Sequence, residues 1–164
     1  MPGSSAGFPR RALQATTVAQ ALALVIVPVA GLANDAFIRR RTLLMIGFAA
    51  EFVIALACFL LARDGGLAGF ATAQLAFGGI LAVVMGTEPA MLSEQFPAEY
   101  RMSGYSVAFN LGLGIAGGTA PAIATALIAA TGFTLAPAFY LMLAAAAAGI
   151  AAFLMADRSR EELP

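Results

Sequence analysis

The sequence predicts an all-α, polytopic membrane protein with five spanning helices, resting on its apolar content, its long uncharged runs and the short polar clusters between them. Hydrophobic residues make up 61% of the chain and charged residues 11%, with a mean hydropathy of +0.89. A typical soluble domain carries roughly 25% charge, and a soluble fold this short has too little interior to hide so much apolar surface. From Met102 to Ala156 no residue is charged. As one helix that run would extend roughly 80 Å at 1.5 Å per residue, against a hydrocarbon core of about 30 Å. It must fold back once. The break falls at Thr131-Gly132-Phe133-Thr134, where glycine and threonine interrupt the alanine and leucine and Pro137 follows as a first-turn residue.

In order, residues 1–15 read as a flexible lead-in, 16–155 as a five-helix transmembrane bundle and 156–164 as a polar tail. The expected spans are 16–32, with Pro28 near its end, then 42–62, 67–92, 103–130 and 136–155. A competing reading of the start is a cleaved secretory leader, with Arg10-Arg11 before the apolar stretch and Gly31-Leu32-Ala33 as the cleavage site. The uncharged run from Ala12 to Asn34 is longer than the apolar core of such a leader. Arg63-Asp64-Gly65-Gly66 is a tight turn whose charges cancel. The segment from Glu88 to Pro121 is a charged hinge that joins the third span to the fourth.

Five crossings put the termini on opposite faces. One face collects Arg39, Arg40, Arg41, Arg101, Arg158 and Arg160, the other Arg10, Arg11 and Arg63. The positive-inside tendency makes the first face cytoplasmic, so a multi-pass protein of the cell inner (plasma) membrane with a cytoplasmic C-terminus is expected. Tryptophan is absent, leaving Tyr100, Tyr105 and Tyr140 as interfacial anchors.

Several function classes are excluded. A formal charge of zero with scattered arginines argues against nucleic-acid binding. Cys58 is the single cysteine and histidine is absent, which removes a disulfide framework, the usual metal ligands and the usual neutral-pH proton relay. Without a phosphate-binding loop or a Ser/His/Asp set there is no enzyme reading, no cofactor and no metal. Carboxylates are the remaining candidates for protonation within the membrane.

Glu51 falls about 13–14 Å along its span, near mid-membrane. It is either a proton-coupling carboxylate or a neutral, hydrogen-bonded side chain on a supporting helix. Glu88, before Pro89, either lines an internal vestibule or caps the kink. Gln74 and Thr72 in the third span, with Thr16 and Gln20 one turn apart in the first, are uncharged groups that line an aqueous pathway or bond helix to helix. In the fourth span Ser106, Asn110 and Gly114 recur every fourth residue, continued by Gly117, Gly118 and Pro121. The small-xxx-small spacing from Gly114 to Gly118 lets another helix approach closely.

Glu94-Gln-Phe96-Pro97-Ala-Glu-Tyr-Arg101-Met-Ser103-Gly104, running into Phe109-Asn110-Leu-Gly112 and Gly117-Gly118-Thr-Ala-Pro121, resembles the loop before the eleventh helix, and that helix, in major facilitator superfamily transporters. The likeness is closest to the metabolite:proton symporters. Gly31-Leu-Ala-Asn34-Asp35-Ala-Phe-Ile-Arg39-Arg40 resembles the superfamily's loop motif in its second-half copy. Gly31, Asp35, Arg39 and Arg40 match; Ala36 replaces a basic residue and Ile38 a glycine.

The resemblance implies that the five spans are helices eight to twelve of a proton-coupled carrier of a small organic metabolite, held in the lipid bilayer. It further implies that Gly31, Asp35, Arg39, Arg40 and Arg101 belong to a cytoplasmic gating loop. Such carriers hold substrate between two halves that rock against each other. In that scheme the first, third and fourth spans face the pathway, with Gln20, Gln74, Glu88, Ser106 and Asn110 as its polar groups, while the second and fifth are peripheral. A small organic ion and protons would be its partners once an N-terminal half is supplied, and the polypeptide alone is expected not to transport. The alternative is a non-transporting interaction module, either a homo-oligomer burying the Gly114, Gly117 and Gly118 face or one half of a split transporter.

Overall fold

A computed structural model describes residues 7–36 and 39–156, with side chains over 10–33 and 39–156. The described residues are helical with short connections and no strand. Helix α1 is Gly7–Ala36, α2 Arg40–Asp64 and α3 Gly66–Ser93. A short 3-10 turn, Ala98–Tyr100, leads into α4, Arg101–Gly112. The chain then widens into a π-helical segment, Leu113–Gly117, before α5, Gly118–Thr131, and α6, Ala136–Leu154. Five stretches are long and apolar enough to cross a membrane: Arg10–Ala33, Arg40–Asp64, Gly66–Ser93, Ala98–Thr131 and Ala136–Leu154. The fourth comprises α4, the π segment and α5.

Helix α1 begins at Gly7 and so takes in Arg10 and Arg11, which the sequence alone placed in the lead-in. Pro9 does not prevent this, because a first-turn proline lacks only an N–H that has no intrahelical partner anyway. The rest of the lead-in, residues 1–6, and the tail, 157–164 with Arg158 and Arg160, lie outside the described residues. Between α2 and α3 the connection is Gly65 alone, with Arg63 and Asp64 hydrogen-bonded to each other at 2.7 and 2.8 Å. At the other hairpin Gly132 closes α5 in the left-handed region (φ +66), where a side chain would be strained, and its N–H bonds Ile128 O at 2.8 Å. Pro137 then sits in the first turn of α6, where a missing N–H costs nothing.

The bundle is built around α3, which packs against α1 on one side and α2 on the other, while α2 also packs against α6. Contacts of the fourth span with the other spans are fewer, its start meeting α3 and its end α6. Buried positions are mainly small: Ala55, Cys58, Ala73, Ala82, Ala138, Ala145 and Ala152. Large apolar side chains such as Leu24, Val53, Leu143 and Ile150 point outward. This inversion suits a bilayer, where lipid tails are as apolar as leucine and helices associate by close packing of small residues. Three glycines permit the closest approaches between helices. A Cβ on Gly69 of α3 would lie 2.2 Å from the Leu61 carbonyl oxygen of α2. A Cβ on Gly47 of α2 would lie 2.6 Å from the Val84 side chain, and one on Gly86 of α3 would lie 2.4 Å from the Val27 carbonyl oxygen of α1. Larger side chains gather at one end, where Leu44, Val84, Met91 and Ala152 form a core flanked by Phe48 and Met155.

Candidate functional site

Polar groups within the bundle collect on the α1 and fourth-span flanks of α3. Gln74 Nε2 donates to the Thr16 hydroxyl at 3.0 Å, and that hydroxyl donates in turn to Ala12 O at 3.1 Å. Gln20, one turn along α1, borders the same cavity of about 250 Å³, together with Phe77, Gly78 and Met85. Thr72 is outside this group: it is exposed and its hydroxyl returns to Ala68 O at 2.9 Å. Thus Thr16, Gln20 and Gln74 come together, bridging helices and lining a cavity at once.

Glu88 lines a second cavity, of about 240 Å³, between α3 and the fourth span. Its other walls include Met85, Phe109, Gly112, Leu113 and Gly117. Two prolines bear on it. Pro89 cannot supply the N–H that would bond the Met85 carbonyl four residues back, and Pro121 stands in the same relation to Gly117. Met85 and Gly117 both border the cavity, and the π segment lies beside it. In a bilayer such irregular backbone is tolerated where it faces protein or a water-filled space.

Ser106 and Asn110 do not join Glu88 there. Both are exposed, and Asn110 Nδ2 donates to Ser106 O at 2.7 Å within its own span. No residue of α4, the π segment or α5 is buried. A Cβ on Gly114 or Gly118 would meet nothing within 4 Å, and one on Gly117 only Leu113 of the same span. The close helix contacts within the described residues are instead made at Gly47, Gly69 and Gly86, which the sequence reading did not single out.

At the end of the bundle holding the α1–α2 connection, charged groups tie three helices together. The Arg40 guanidinium, at the start of α2, pairs with the Glu94 carboxylate just beyond α3. Arg41 donates to Phe153 O of α6 and stacks over that residue's ring, 4.6 Å from its centroid. Gln95 Nε2 donates to Ala156 O at 2.9 Å, and Ala156 N–H donates to Gln95 Oε1 at 3.3 Å, closing the end of α6 against that of α3. Of the gating residues read from sequence, Arg40 joins this clasp and Arg39 is exposed. Arg101 is half-buried, and its Nε makes no hydrogen bond among the described residues. A Cβ on Gly31 would sit in ordinary contact with Gly86 O at 3.5 Å. The side chain of Asp35 lies outside the described residues. Sequence reasoning missed Glu94, Gln95 and Arg41 as site residues. A usable signal existed, since helix ends joined by short loops share a membrane level and the third arginine of a run needs its own acceptor.

No group of three or more metal-ligating side chains occurs among the described residues. The arrangement, apolar spans with cavities on both flanks of one helix and a charged clasp at one end, is that of a polytopic membrane protein. Comparison with known proteins finds similarity to transporters. The chain is 31% identical over 140 residues to the proline/betaine transporter of Escherichia coli, covering 85% of this chain and 28% of that one. It is 26% identical over 139 residues to the ectoine/proline transporter of Corynebacterium glutamicum, covering 85% and 27%. With the citrate-proton symporter of Klebsiella pneumoniae it shares 32% identity over 119 residues, 73% of this chain and 27% of the other. No family model matches, and no solved structure matches. The similarity is to solute transporters, of the kind that the motifs between Glu94 and Pro121 resemble, the metabolite:proton symporters of the major facilitator superfamily. It spans little more than a quarter of the length of the curated relatives it matches. Its spans and relatives together make it a multi-pass inner-membrane protein.

Proposed function

We propose that the chain is the C-terminal part, helices eight to twelve, of a proton-coupled carrier of a small organic metabolite, and that it does not transport alone. The observation that carries this reading is the fourth span. It holds Ser106, Asn110 and a glycine-rich face, yet buries no residue against the rest of the chain. A polar and glycine-rich surface that finds no partner here is what one wall of a two-sided pathway would present.

In this reading Gln20, Gln74 and Glu88 contribute polar groups to the pathway wall, and Ser106 and Asn110 face the half that a second set of helices supplies. The clasp of Arg40 with Glu94 works at the cytoplasmic end, where it holds α2, α3 and α6 as one body while the opposite half rocks against it. Arg39, Arg101 at the start of α4, and Gly31 and Asp35 in the last turns of α1 would contribute to the gate at that end. The relatives, transporters of proline, betaine, ectoine and citrate, support small zwitterions or carboxylates as the cargo class.

A second reading, an interaction module that self-associates, is favoured by the same unburied span. Crosslinking in native membranes followed by purification separates the two. A stoichiometric partner carrying the remaining helices supports the carrier reading. Self-association alone, through the Gly114, Gly117 and Gly118 face, overturns it.

A further inference from the structure

We propose that Glu51 and the cavity before it form a proton-binding site inside the bundle. Glu51 sits midway along α2, is 8% exposed, and its Oε1 is buried without a hydrogen-bond partner. It opens onto a cavity of about 200 Å³ whose walls are Phe48, Phe77, Leu141, Ala144, Ala145 and Ala148. Those walls offer no donor and no cation. Helix α6, which forms one side, carries no charged residue, and Tyr140 is its only titratable group.

The charged groups on the other packed elements do not compensate either. On α3 the only ionisable side chain is Glu88, which offers no positive charge. On α2 itself, Arg40 is paired with Glu94 and Arg41 is held by Phe153 at one end, Arg63 is paired with Asp64 at the other, and the buried Cys58 two turns along is a thiol that supplies no cation. Helix α1 has its arginines in its first turns. An ionised carboxylate in such a place is costly. A metal ion is a poor alternative, since hard cations need several oxygen ligands and Glu51 is the only oxygen-bearing side chain on these walls.

The cavities also suggest a route. Phe77 is a wall both of the Glu51 cavity and of the one lined by Thr16, Gln20 and Gln74. Met85 is common to that second cavity and to the one at Glu88. A proton entering beside Glu88 would pass the amides and hydroxyl of the middle cavity and reach Glu51 Oε1 when the Phe77 ring turns aside. It adds to the carboxylate there and leaves by the reverse path, with no other bond made or broken. This assigns a part to the second span, which the carrier scheme would leave peripheral. The inference deepens the proposed function and rests on it for its purpose, but its test requires no transport.

The full chain in lipid nanodiscs is treated with dicyclohexylcarbodiimide, which reacts with protonated carboxyl groups in apolar surroundings, across mildly acid to mildly alkaline pH. Labelled residues are mapped by mass spectrometry, with a water-soluble carbodiimide as control. Expected is labelling of Glu51 by the apolar reagent, lost as pH rises. Absence of label on Glu51 at every pH, or labelling that does not change with pH, overturns the proposal. Both outcomes are read on the unmutated chain, so the test does not depend on a variant that folds. Failure of transport in a completed carrier, with the labelling as expected, would instead count against the proposed function alone.

Discussion

Arg40 and Glu94 form an ion pair between the first residue of α2 and the residue after α3, 54 positions apart in sequence. Glu94 is buried and the Arg40 side chain is 17% exposed, so the pair forms where water reaches poorly. Breaking a buried pair by truncating one partner costs about 3–5 kcal/mol, much of it from the charge left behind. Arg40→Ala is therefore expected to lower the detergent melting temperature sharply, and Glu94→Ala somewhat less, because the guanidinium that Glu94→Ala leaves in place is the more exposed member. Thermal unfolding followed by circular dichroism checks this. A double variant that melts where the worse single variant does is the signature of a coupled pair.

Gly86→Ala places a methyl group against the Val27 carbonyl oxygen of α1, and Gly47→Ala places one against Val84. Overpacking of this kind costs typically about 1–3 kcal/mol. Gly86→Ala should be the worse, because backbone cannot yield as a valine side chain can. Gly114→Ala and Gly118→Ala meet open space in this chain and should leave its melting unchanged. If the fourth span faces a partner, those two substitutions should instead reduce crosslinking to it.

Gln74 and Thr16 bond each other between helices. Side-chain hydrogen bonds inside membranes contribute about 0.6 kcal/mol on average, so Gln74→Leu with Thr16→Val should show a coupling near that size in a double-mutant cycle. A coupling indistinguishable from zero would mean that the two groups are better solvated by a wet cavity than by each other.

How much could be read in advance follows from what each feature depends on. The five spans were legible because charge-free runs and their polar breaks are properties of consecutive residues, as at Thr131 to Thr134. The clasp of Arg40, Glu94, Arg41 and Gln95 was not, since it depends on which helix ends meet. The same limit explains the glycines. Spacing drew attention to Gly114 and Gly118, whereas Gly47, Gly69 and Gly86 make the close contacts because of which faces of α2 and α3 turn inward, a fact no single helix encodes. Glu51 could be placed near mid-membrane from its position alone, but its unpartnered Oε1 and its apolar cavity required the neighbouring helices.

The orientation expected from the arginines places residue 164 in the cytoplasm. A fusion at Pro164 to a reporter active only outside the cytoplasm should be silent, and one active only inside should be bright. The opposite pattern would invert the topology and with it the side on which the Arg40 and Glu94 clasp acts.

The central claim is that these five spans are one wall of a carrier and not a carrier in themselves. The most direct measurement is uptake of radiolabelled proline, betaine and citrate into proteoliposomes holding this chain alone, with an imposed proton gradient. The account predicts uptake no greater than in protein-free liposomes; saturable accumulation that collapses when the gradient is dissipated would contradict it.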